Sequence, residues 1–531
     1  MTDGIPTPVT PRVHLVNPCH ASFGVSVLTP RWLYVLAAAT GTRWGDPRLV
    51  DETLEPFDPA TVEAGDVVGV GIHTGNALRG YEVGRLARER GAWVVFGGIH
   101  ATLFPDEARE HGGAHAVVRG DGDQVWPFVV ADCLSGRPLP QYEGGRVSGD
   151  DFVAARWDLL PPRGYMWATV QTVRGCPKHC SFCSVWRTDG QEPRQHPVDR
   201  IVREVVELRR LGIRFIVLAD DNFYPVTLDD LAAARRRSDP TRLHELEALR
   251  AERFELMARF AELPKDVVFY TQITMEAAED PAFLDAMRRA RILGALVGIE
   301  SVTAAGLKDV YKGFNLAGDA LVARLRTFRR HGVYVLGSFI FGLPSDRKET
   351  FDATVALAEE AEITFAQFVL LTPFPGTVDF DKWAAAEGRS DILVDGVPIT
   401  RHWLIPADRR PRVYSEHPTL GLEEIRVGTQ LAWDRFYTWR RVWSRSRVVK
   451  SYKSRVAFVL VSKLYRQMYA NTGIATDSAR IARSERWARW MGRACRRLFL
   501  ANPMPELQMP RAVVARSPAA AALPVSPAAH V

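Results

Sequence analysis

Two successive series of short, nearly continuous apolar runs, each run separated from the next by an amphipathic stretch, limit what this chain can fold into. In the first series the runs are Val13–Val16, Val67–Ile72, Trp93–Phe96 and Ala116–Val118. Apolar runs without alternation are strands buried on both faces, the situation of a parallel sheet covered by helices. The apolar spacing over Tyr81–Leu86 supplies one of those helices. An α/β fold opening with a doubly wound, Rossmann-like domain over residues 1–150 is the economical outcome. Gly-rich loops follow its strands: HTGNA, GGIHATLFP and RGDGD. In such sheets ligands bind beyond the carboxyl ends of the strands, where these loops lie.

A linker over residues 151–165, marked by Pro161–Pro162, leads into the second series. Strands are expected at Ala168–Thr172, Phe215–Ala219, Val267–Thr271, Gly294–Val297, Val333–Ile340 and Phe365–Leu371. Helical patterns at Val198–Leu211, Leu243–Glu262, Pro281–Arg291 and Phe351–Glu362 intervene, and residues 229–262 read as an elaboration. Six strand–helix units predict a partial, TIM-like (β/α)6 barrel over residues 151–385, with its chemistry at the C-terminal ends of the strands. Residues 386–505 read as a helical, basic, Trp-rich C-terminal region. The Ala/Pro-rich tail, 506–531, is expected to be disordered.

Composition narrows the classes. With 47% hydrophobic and 24% charged residues over 531, the chain is neither mostly disordered, collagenous nor a coiled coil. Six cysteines are too few for a disulfide scaffold at this length, which points to a reducing compartment. No apolar run approaches the ~18–20 residues that cross a bilayer. The opening MTDGIPTPVTPRVHL has no leader pattern, so a cytoplasmic protein is expected. The net charge of +6 hides an asymmetry: residues 434–497 carry 17 Lys and Arg against 3 Asp and Glu, and the rest 51 against 59. The acidic body argues against nucleic acid as a general partner. In this stretch and just before it, Trp433, Trp439, Trp443, Tyr452, Trp487 and Trp490 are interleaved with Arg and Lys. Three readings fit: a helical cap whose aromatics pack on the barrel under solvated arginines, a peripheral contact of 434–497 with the inner membrane face, or stacking on RNA.

The strongest chemical signal is Cys176-Pro-Lys-His-Cys180-Ser-Phe-Cys183, directly after the first barrel strand. Spacings of four and three let one short loop wrap three thiolates around one centre, and soft thiolates select zinc or iron–sulfur clusters. A structural zinc site closes with four ligands, and here His179 or His196 would have to supply the fourth. Three unrelated core thiols are the bland alternative. Cys19, Cys133 and Cys495 lie in other segments.

At these residues the chain resembles the radical S-adenosylmethionine (radical SAM) superfamily, whose CxxxCxΦC signature is matched by Cys176, Cys180, Phe182 and Cys183. The resemblance spans about residues 165–380. It implies an enzyme with a 4Fe-4S cluster on the three cysteines and S-adenosylmethionine on the open iron, with an electron donor such as flavodoxin or ferredoxin. It further implies Phe182 beside the adenine, Asp220, Asp221 and Asn222 toward the methionine amino group, and Gly298, Glu300 and Ser301 toward ribose and carboxylate. Phe341-Gly-Leu-Pro344 and Thr372-Pro-Phe-Pro-Gly-Thr377 close the next two strands in the order this barrel requires.

The N-terminal loops resemble the cobalamin-binding domain that precedes this barrel in one subfamily, which includes hopanoid-type lipid C-methylases and the anaerobic cyclase of bacteriochlorophyll synthesis. Cobalamin would then lie against His73, Thr74, Gly75, Asn76, Gly97, Gly98, His100, Gly120 and Gly122. The DxHxxG motif that supplies a cobalt-ligating histidine is absent. The expectation is a cobalamin-dependent C-methyltransferase acting at an unactivated carbon of a lipid or other small-molecule substrate. The alternatives are a radical cyclase, oxidase or rearrangement enzyme without net methyl transfer, and a non-catalytic zinc or RNA-binding scaffold.

Overall fold

The computed structural model describes residues 11–20, 26–414 and 416–471. Residues up to 170 contribute β1 (Val13–Asn17), β2 (Ser26–Leu28), β3 (Arg48–Asp51), β4 (Val67–Gly71), β5 (Trp93–Gly97), β6 (Ala116–Gly120), β7 (Gln141–Gly145) and β8 (Tyr165–Val170). All but β2 and β8 form one parallel sheet in the order β3-β1-β4-β5-β6-β7. Its central strands, VVGVG and WVVFG, are buried on both faces. Helices Arg31–Ala39 and Trp126–Leu134 cover one face, and Ala77–Glu89 and Pro105–Gly112 the other. The outer strands β3 (RLVD) and β7 (QYEGG) are more polar, as edge strands half in water can be.

Beyond β8 the chain forms β9 (Val173–Arg174), β10 (Arg194–Gln195), β11 (Phe215–Leu218), β12 (Val268–Ile273), β13 (Ile292–Glu300), β14 (Tyr334–Phe341) and β15 (Phe365–Leu370). The second sheet is parallel and open, in the order β15-β14-β13-β12-β11-β8-β2, while β9 and β10 pair as a separate antiparallel ribbon. Helices cover its outer face. Val198–Arg210, for example, turns Ile201, Val202, Val205 and Leu208 inward at helical spacing. Phe269 of β12 stacks on Phe260 of the long helix Pro240–Glu262, with ring centroids 4.3 Å apart. The Rossmann-like sheet and the half-barrel are the architecture expected from the apolar runs.

The two sheets are more interwoven than a split after residue 150 suggests. Strand β2, from the N-terminal stretch, pairs with β8 and belongs to the barrel sheet. The linker 151–165 is a packed joint: buried Trp157 lies 4.9 Å from Tyr34 and donates through Nε1 to Glu204 Oε2 at 3.2 Å. Glu204 also holds Arg31 at 2.6 Å. From the other end, Ile399–Leu404 returns to the first sheet, where buried Trp403 donates to Glu107 Oε1 at 2.8 Å. Residues 386–471 are mostly helical, with one short ribbon, Leu393–Val394 against Val397–Pro398.

The helix Leu422–Phe436 closes the open edge of the barrel sheet. Trp433 Nε1 donates to the Phe368 carbonyl at 2.7 Å, and the Tyr437 hydroxyl, just beyond, donates to the Ala366 carbonyl at 2.8 Å. Side chains thus satisfy the backbone of an edge strand that would otherwise be free to pair. This is the packed-cap reading for Trp433. Trp439 and Tyr452 stay exposed, at 66% and 71%, while Trp487, Trp490, Cys495 and the Ala/Pro tail lie outside the described residues.

Candidate functional site

Two cavities open at the C-terminal ends of the two sheets, one on each side of the segment Val173–Cys176. The smaller, about 290 Å³, lies in the barrel mouth. Cys176, Cys180 and Cys183 all line it. The loop that carries them is pinned by its own backbone: Cys176 N–H to the Gly190 carbonyl at 3.0 Å, Ser181 N–H to the Val310 carbonyl at 3.2 Å, and Cys183 N–H to the Cys180 carbonyl at 3.2 Å. Gly175 enters it at φ +90°, where a Cβ would stand 2.6 Å from the Glu192 carbonyl oxygen, so only glycine fits.

Burial pushes all three thiols up, Cys176 to about 11 and Cys183 to about 12; neighbouring thiols add to this for Cys176 and Cys183, while Lys312 partly offsets it for Cys180. Without a cation they stay protonated at neutral pH. A bound metal centre deprotonates such thiols and gains three anionic donors. Among the described residues no three His, Cys, Asp or Glu side chains converge closely enough for a single metal ion. The zinc alternative gains no fourth ligand either. His179 is exposed and off the cavity, and His196 is buried against Phe152, 5.7 Å between ring centroids. Three thiols rimming one cavity fit a multi-iron cluster.

Around them the cavity collects Phe182, Asp221, Asn222, Gly298 and Glu300. Asp221 accepts the Gly175 N–H at 2.7 Å, and burial, with Asp189 nearby, pushes its carboxyl up to about 7. Glu300 sits at φ +66°, a conformation that costs a side-chain-bearing residue about 1 kcal/mol or more. It follows a register break in β13 that turns its carboxylate onto Lys312 Nζ at 2.8 Å. Burial opposes the Lys312 charge, but Glu300 and then Cys180 outweigh it and raise the pKa. Lys312 also donates to the Gly298 carbonyl at 2.9 Å. Neither Lys312 nor Phe314, a further wall residue, stands in a pattern that could have announced it.

Two expected residues turn away. Asp220 is buried behind the wall. It accepts the Val173 N–H at 3.0 Å, the Thr172 N–H at 2.5 Å and the Thr172 hydroxyl at 2.5 Å. Arg253, from the elaboration between β11 and β12, is buried beside it and donates to the same hydroxyl at 2.6 Å. Ser301 is buried too, 3.2 Å from the Thr303 hydroxyl. Each is the neighbour of a residue that lines the cavity, Asp221 and Glu300, and its own side chain is spent on the protein behind the wall.

The larger cavity, about 550 Å³, lies between the ends of the first sheet and the barrel rim and is of cofactor size. Its wall holds His73, Gly97, Gly98, Gly120 and Gly122 on one side and Gln171, Arg174 and Ala219 on the other. A Cβ at Gly122 would meet only Leu36, at 3.6 Å, and Val118, at 4.0 Å, and one at Gly97 only Val118, at 3.9 Å, so these glycines leave room that side chains would fill. His73 presents its ring to the opening, while the surrounding protein and then His100 hold its pKa below the usual imidazole value. Its Nδ1 accepts the Gly75 N–H at 3.1 Å, which puts the proton of the neutral ring on Nε2. The ring therefore offers the cavity a donor rather than a lone pair. Thr74, Gly75, Asn76 and His100 are not on the wall. Asn76 accepts the His73 N–H at 2.8 Å, and His100, fully buried, joins Thr74 Oγ1 at 3.2 Å to Glu107 at 3.0 Å.

With this geometry in view, comparison with known proteins gives the class. Residues 170–358 match the Radical SAM superfamily, a stretch that begins at the end of β8 and contains the three cysteines. An uncharacterised methyltransferase of Pyrococcus horikoshii is 28% identical over 353 residues, 62% of this chain and 70% of that one. The bacteriochlorophyllide d C-12(1)-methyltransferase of Chlorobaculum tepidum is 27% identical over 361 residues, 66% of this chain and 72% of that one. Among solved structures, the cobalamin-dependent S-adenosylmethionine radical enzyme OxsB, with aqua-cobalamin and S-adenosylmethionine bound, covers 91% of this chain and 76% of its own at TM-score 0.61. Its 12% identity speaks for the fold alone. The molecule is an enzyme built on an S-adenosylmethionine radical barrel. Its residues 170–358 form a Radical SAM domain.

Proposed function

We propose that the chain is a cobalamin-dependent C-methyltransferase that acts at an unactivated carbon of a lipid or related small molecule. The observation that carries this reading is the pair of cavities on either side of Val173–Cys176, one rimmed by thiols and one walled by glycines. The named activities of the relatives, both methyltransferases, support it. Cys176, Cys180 and Cys183 would hold the 4Fe-4S cluster. Phe182, Asp221, Asn222, Gly298 and Glu300 would receive S-adenosylmethionine, with Lys312 keeping the Glu300 carboxylate in place. Asp220 and Ser301 would support that wall from behind. The glycine-walled cavity would take cobalamin, with the His73 Nε2–H as a donor to it and Thr74, Gly75, Asn76 and His100 holding the loop. When bound, the cluster supplies the electron that opens the sulfonium of S-adenosylmethionine and cobalamin supplies the methyl group. The protein's own share is placement and exclusion of water: Leu296, Ile340, Val369 and Leu371 give the barrel mouth an apolar wall.

Among the described residues no helix is long and apolar enough to cross a membrane. The exposed Trp439, Trp443 and Tyr452 stand in a stretch, 435–476, that carries no acidic residue, which supports a peripheral contact with an anionic lipid surface. Sedimentation with anionic vesicles tests it. Binding should fall with added salt and with Trp439→Ala, and equal binding to neutral vesicles would refute it.

Catalysis is tested by anaerobic loading with iron, sulfide and hydroxocobalamin. Reduced flavodoxin or ferredoxin, methyl-labelled S-adenosylmethionine and a lipid extract are then added. The expected result is 5′-deoxyadenosine together with an extracted product heavier by one CH2 and carrying label. 5′-Deoxyadenosine with a product of unchanged or lower mass would replace methyl transfer by oxidation, cyclisation or rearrangement. Label that stays on cobalamin would exclude the lipid.

A further inference from the structure

The short strand that leads into the cysteine loop is gripped by the first sheet. In the ribbon β9–β10, Arg174 and Arg194 are register partners, so their side chains start side by side. Arg174 is buried at the wall of the larger cavity. Its Nη2 and Nη1 donate to the two carboxylate oxygens of Asp123 at 3.0 and 3.3 Å, and its Nη1 lies 3.1 Å from Asp121 Oδ1. Its Nε donates to Gln171 Oε1 at 2.8 Å. Arg194 takes the other oxygen of Asp121 at 2.6 Å, and the Val147 N–H donates to that same oxygen at 2.8 Å. The Phe152 ring lies under the Arg174 guanidinium at 4.1 Å and within 5.7 Å of that of Arg194. Asp121 and Asp123 both belong to the RGDGD loop after β6, on the wall of the glycine-lined cavity.

Only Gly175 separates Arg174 from Cys176, and its N–H is already committed to Asp221. Charged, directional contacts therefore tie the loop of the large cavity to Arg174, and two residues of backbone carry that hold to the first cysteine of the small one. An arginine fork on a carboxylate fixes direction as well as distance, which an ammonium at the same place does not. Asp121 and Asp123 are paired with both guanidiniums, and Asp189, on the wall of the same cavity, adds to the hold on Arg174.

We propose that Arg174 is a positioning residue: clamped by Asp121 and Asp123, it locks the start of the cysteine loop to the wall of the glycine-lined cavity and so holds the two cavities at a fixed separation and angle. Its bearing on turnover rests on the methyl-transfer reading, while the clamp itself stands on geometry. Methyl transfer between two cavities needs a substrate placed correctly toward both, whereas cleavage of S-adenosylmethionine needs only the smaller one. Loosening the clamp should therefore separate the two events.

The first readout uses the full chain without cofactors. In hydrogen–deuterium exchange, Arg174→Gln should speed exchange in both 119–124 and 173–183 by at least about tenfold, with Arg236→Gln, at an exposed position of the helix Leu228–Arg236, as a control that changes neither. Faster exchange in only one of the segments, or in neither, overturns the clamp. Should Arg174→Gln not accumulate as folded protein, Asp123→Asn takes its place in the same measurement. The second readout uses loaded enzyme. Arg174→Lys, which keeps the charge and loses the fork, should retain iron and cobalamin content but raise the ratio of 5′-deoxyadenosine released to methyl groups transferred about tenfold. An unchanged ratio overturns the positioning role. If the parent enzyme transfers no methyl group, the methyl-transfer reading fails and the exchange experiment still decides the clamp.

Discussion

The two cavities are built by opposite means. The smaller gets its chemistry from side chains: three thiols, the carboxyl of Asp221 and the Glu300–Lys312 pair. The larger gets its shape from what is missing, side chains at Gly97 and Gly122, and from glycines at 98 and 120 that let backbones close up beside it. A side-chain site fails when one atom is removed, and a backbone site fails when one is added. Cys180→Ala should therefore have the largest effect of any single change here, lowering 5′-deoxyadenosine formation at least about a hundredfold, since losing a ligand exceeds the cost of disturbing its support. Iron and sulfide analysis of the loaded variant checks it. Formation at the parental rate would break the comparison at its root.

Within the smaller cavity, the neighbours Asp220 and Asp221 divide into structure and chemistry. Asp220 is an acceptor for Thr172 and Val173 and stands beside the fully buried Arg253, whose charge burial opposes and Asp220 sustains. Asp220→Ala removes a buried charge partner and should cost about 3 kcal/mol of stability, read from the urea midpoint. Asp221→Asn should leave the midpoint in place and raise the concentration of S-adenosylmethionine needed for half-maximal cleavage. Equal effects of the two changes on stability would erase the distinction.

That distinction shows where the sequence stops being legible. The barrel strands and the cysteine loop could be read because their signals are local: apolar runs buried on both faces, and a spacing that chemistry demands. A pair such as Asp220-Asp221 or Glu300-Ser301 marks the end of a strand, but which member faces the cavity depends on register, and register is set by neighbours such as β14, whose pairing with β13 slips between Gly298 and Glu300. Strand β2 escaped notice for a similar reason. SVL is too short to signal a strand, and its partner β8 lies well over a hundred residues away. Trp403 gave no hint that it would cross to the first sheet, because its anchor, Glu107, belongs to a helix that looks ordinarily solvated by its sequence, PDEAREHG. His100 stands in a suggestive glycine-rich loop, but its ring is consumed by Thr74 and Glu107. The glycine loops themselves were readable as a place for a ligand and silent about which side chains would reach it.

For the larger cavity the complementary test adds atoms. Gly122→Val introduces a side chain whose Cβ meets Leu36 and Val118 only at ordinary contact distance, so the fold has room for it and the cavity loses that room. Cobalamin retained after anaerobic loading and gel filtration should drop about tenfold, the equivalent of ~1.4 kcal/mol. Cluster content and 5′-deoxyadenosine formation should stay at parental values. Parallel loss of both cofactors would mean that the two cavities do not function as separate sites.

The smallest effect separates the regions by the sign of their response to acid. Burial lowers the pKa of His14 and His100 in the first sheet and of His402 where the C-terminal segment meets it, the last to about 4. These rings stay neutral in the folded state while the unfolded chain takes up protons below pH ~6.5. Their contribution is present above that value and is lost as the pH falls toward the folded pKa. Near the barrel mouth, Asp221 and Asp346 are shifted the other way, to about 7 and about 6, so the folded state holds protons that the unfolded chain gives up. That contribution is present at acid pH and fades as the pH rises through those values. Between pH 7 and pH 5 the first sheet should weaken by on the order of 1 kcal/mol per buried ring while the barrel mouth holds or gains. Hydrogen exchange of the unloaded chain at pH 5, corrected for the intrinsic rate, should show β1, β4 and β5 opening before β11–β14. The reverse order would mean that the two halves, whose cores run together through Trp157 and Tyr34, unfold as one unit whose acid response is set elsewhere.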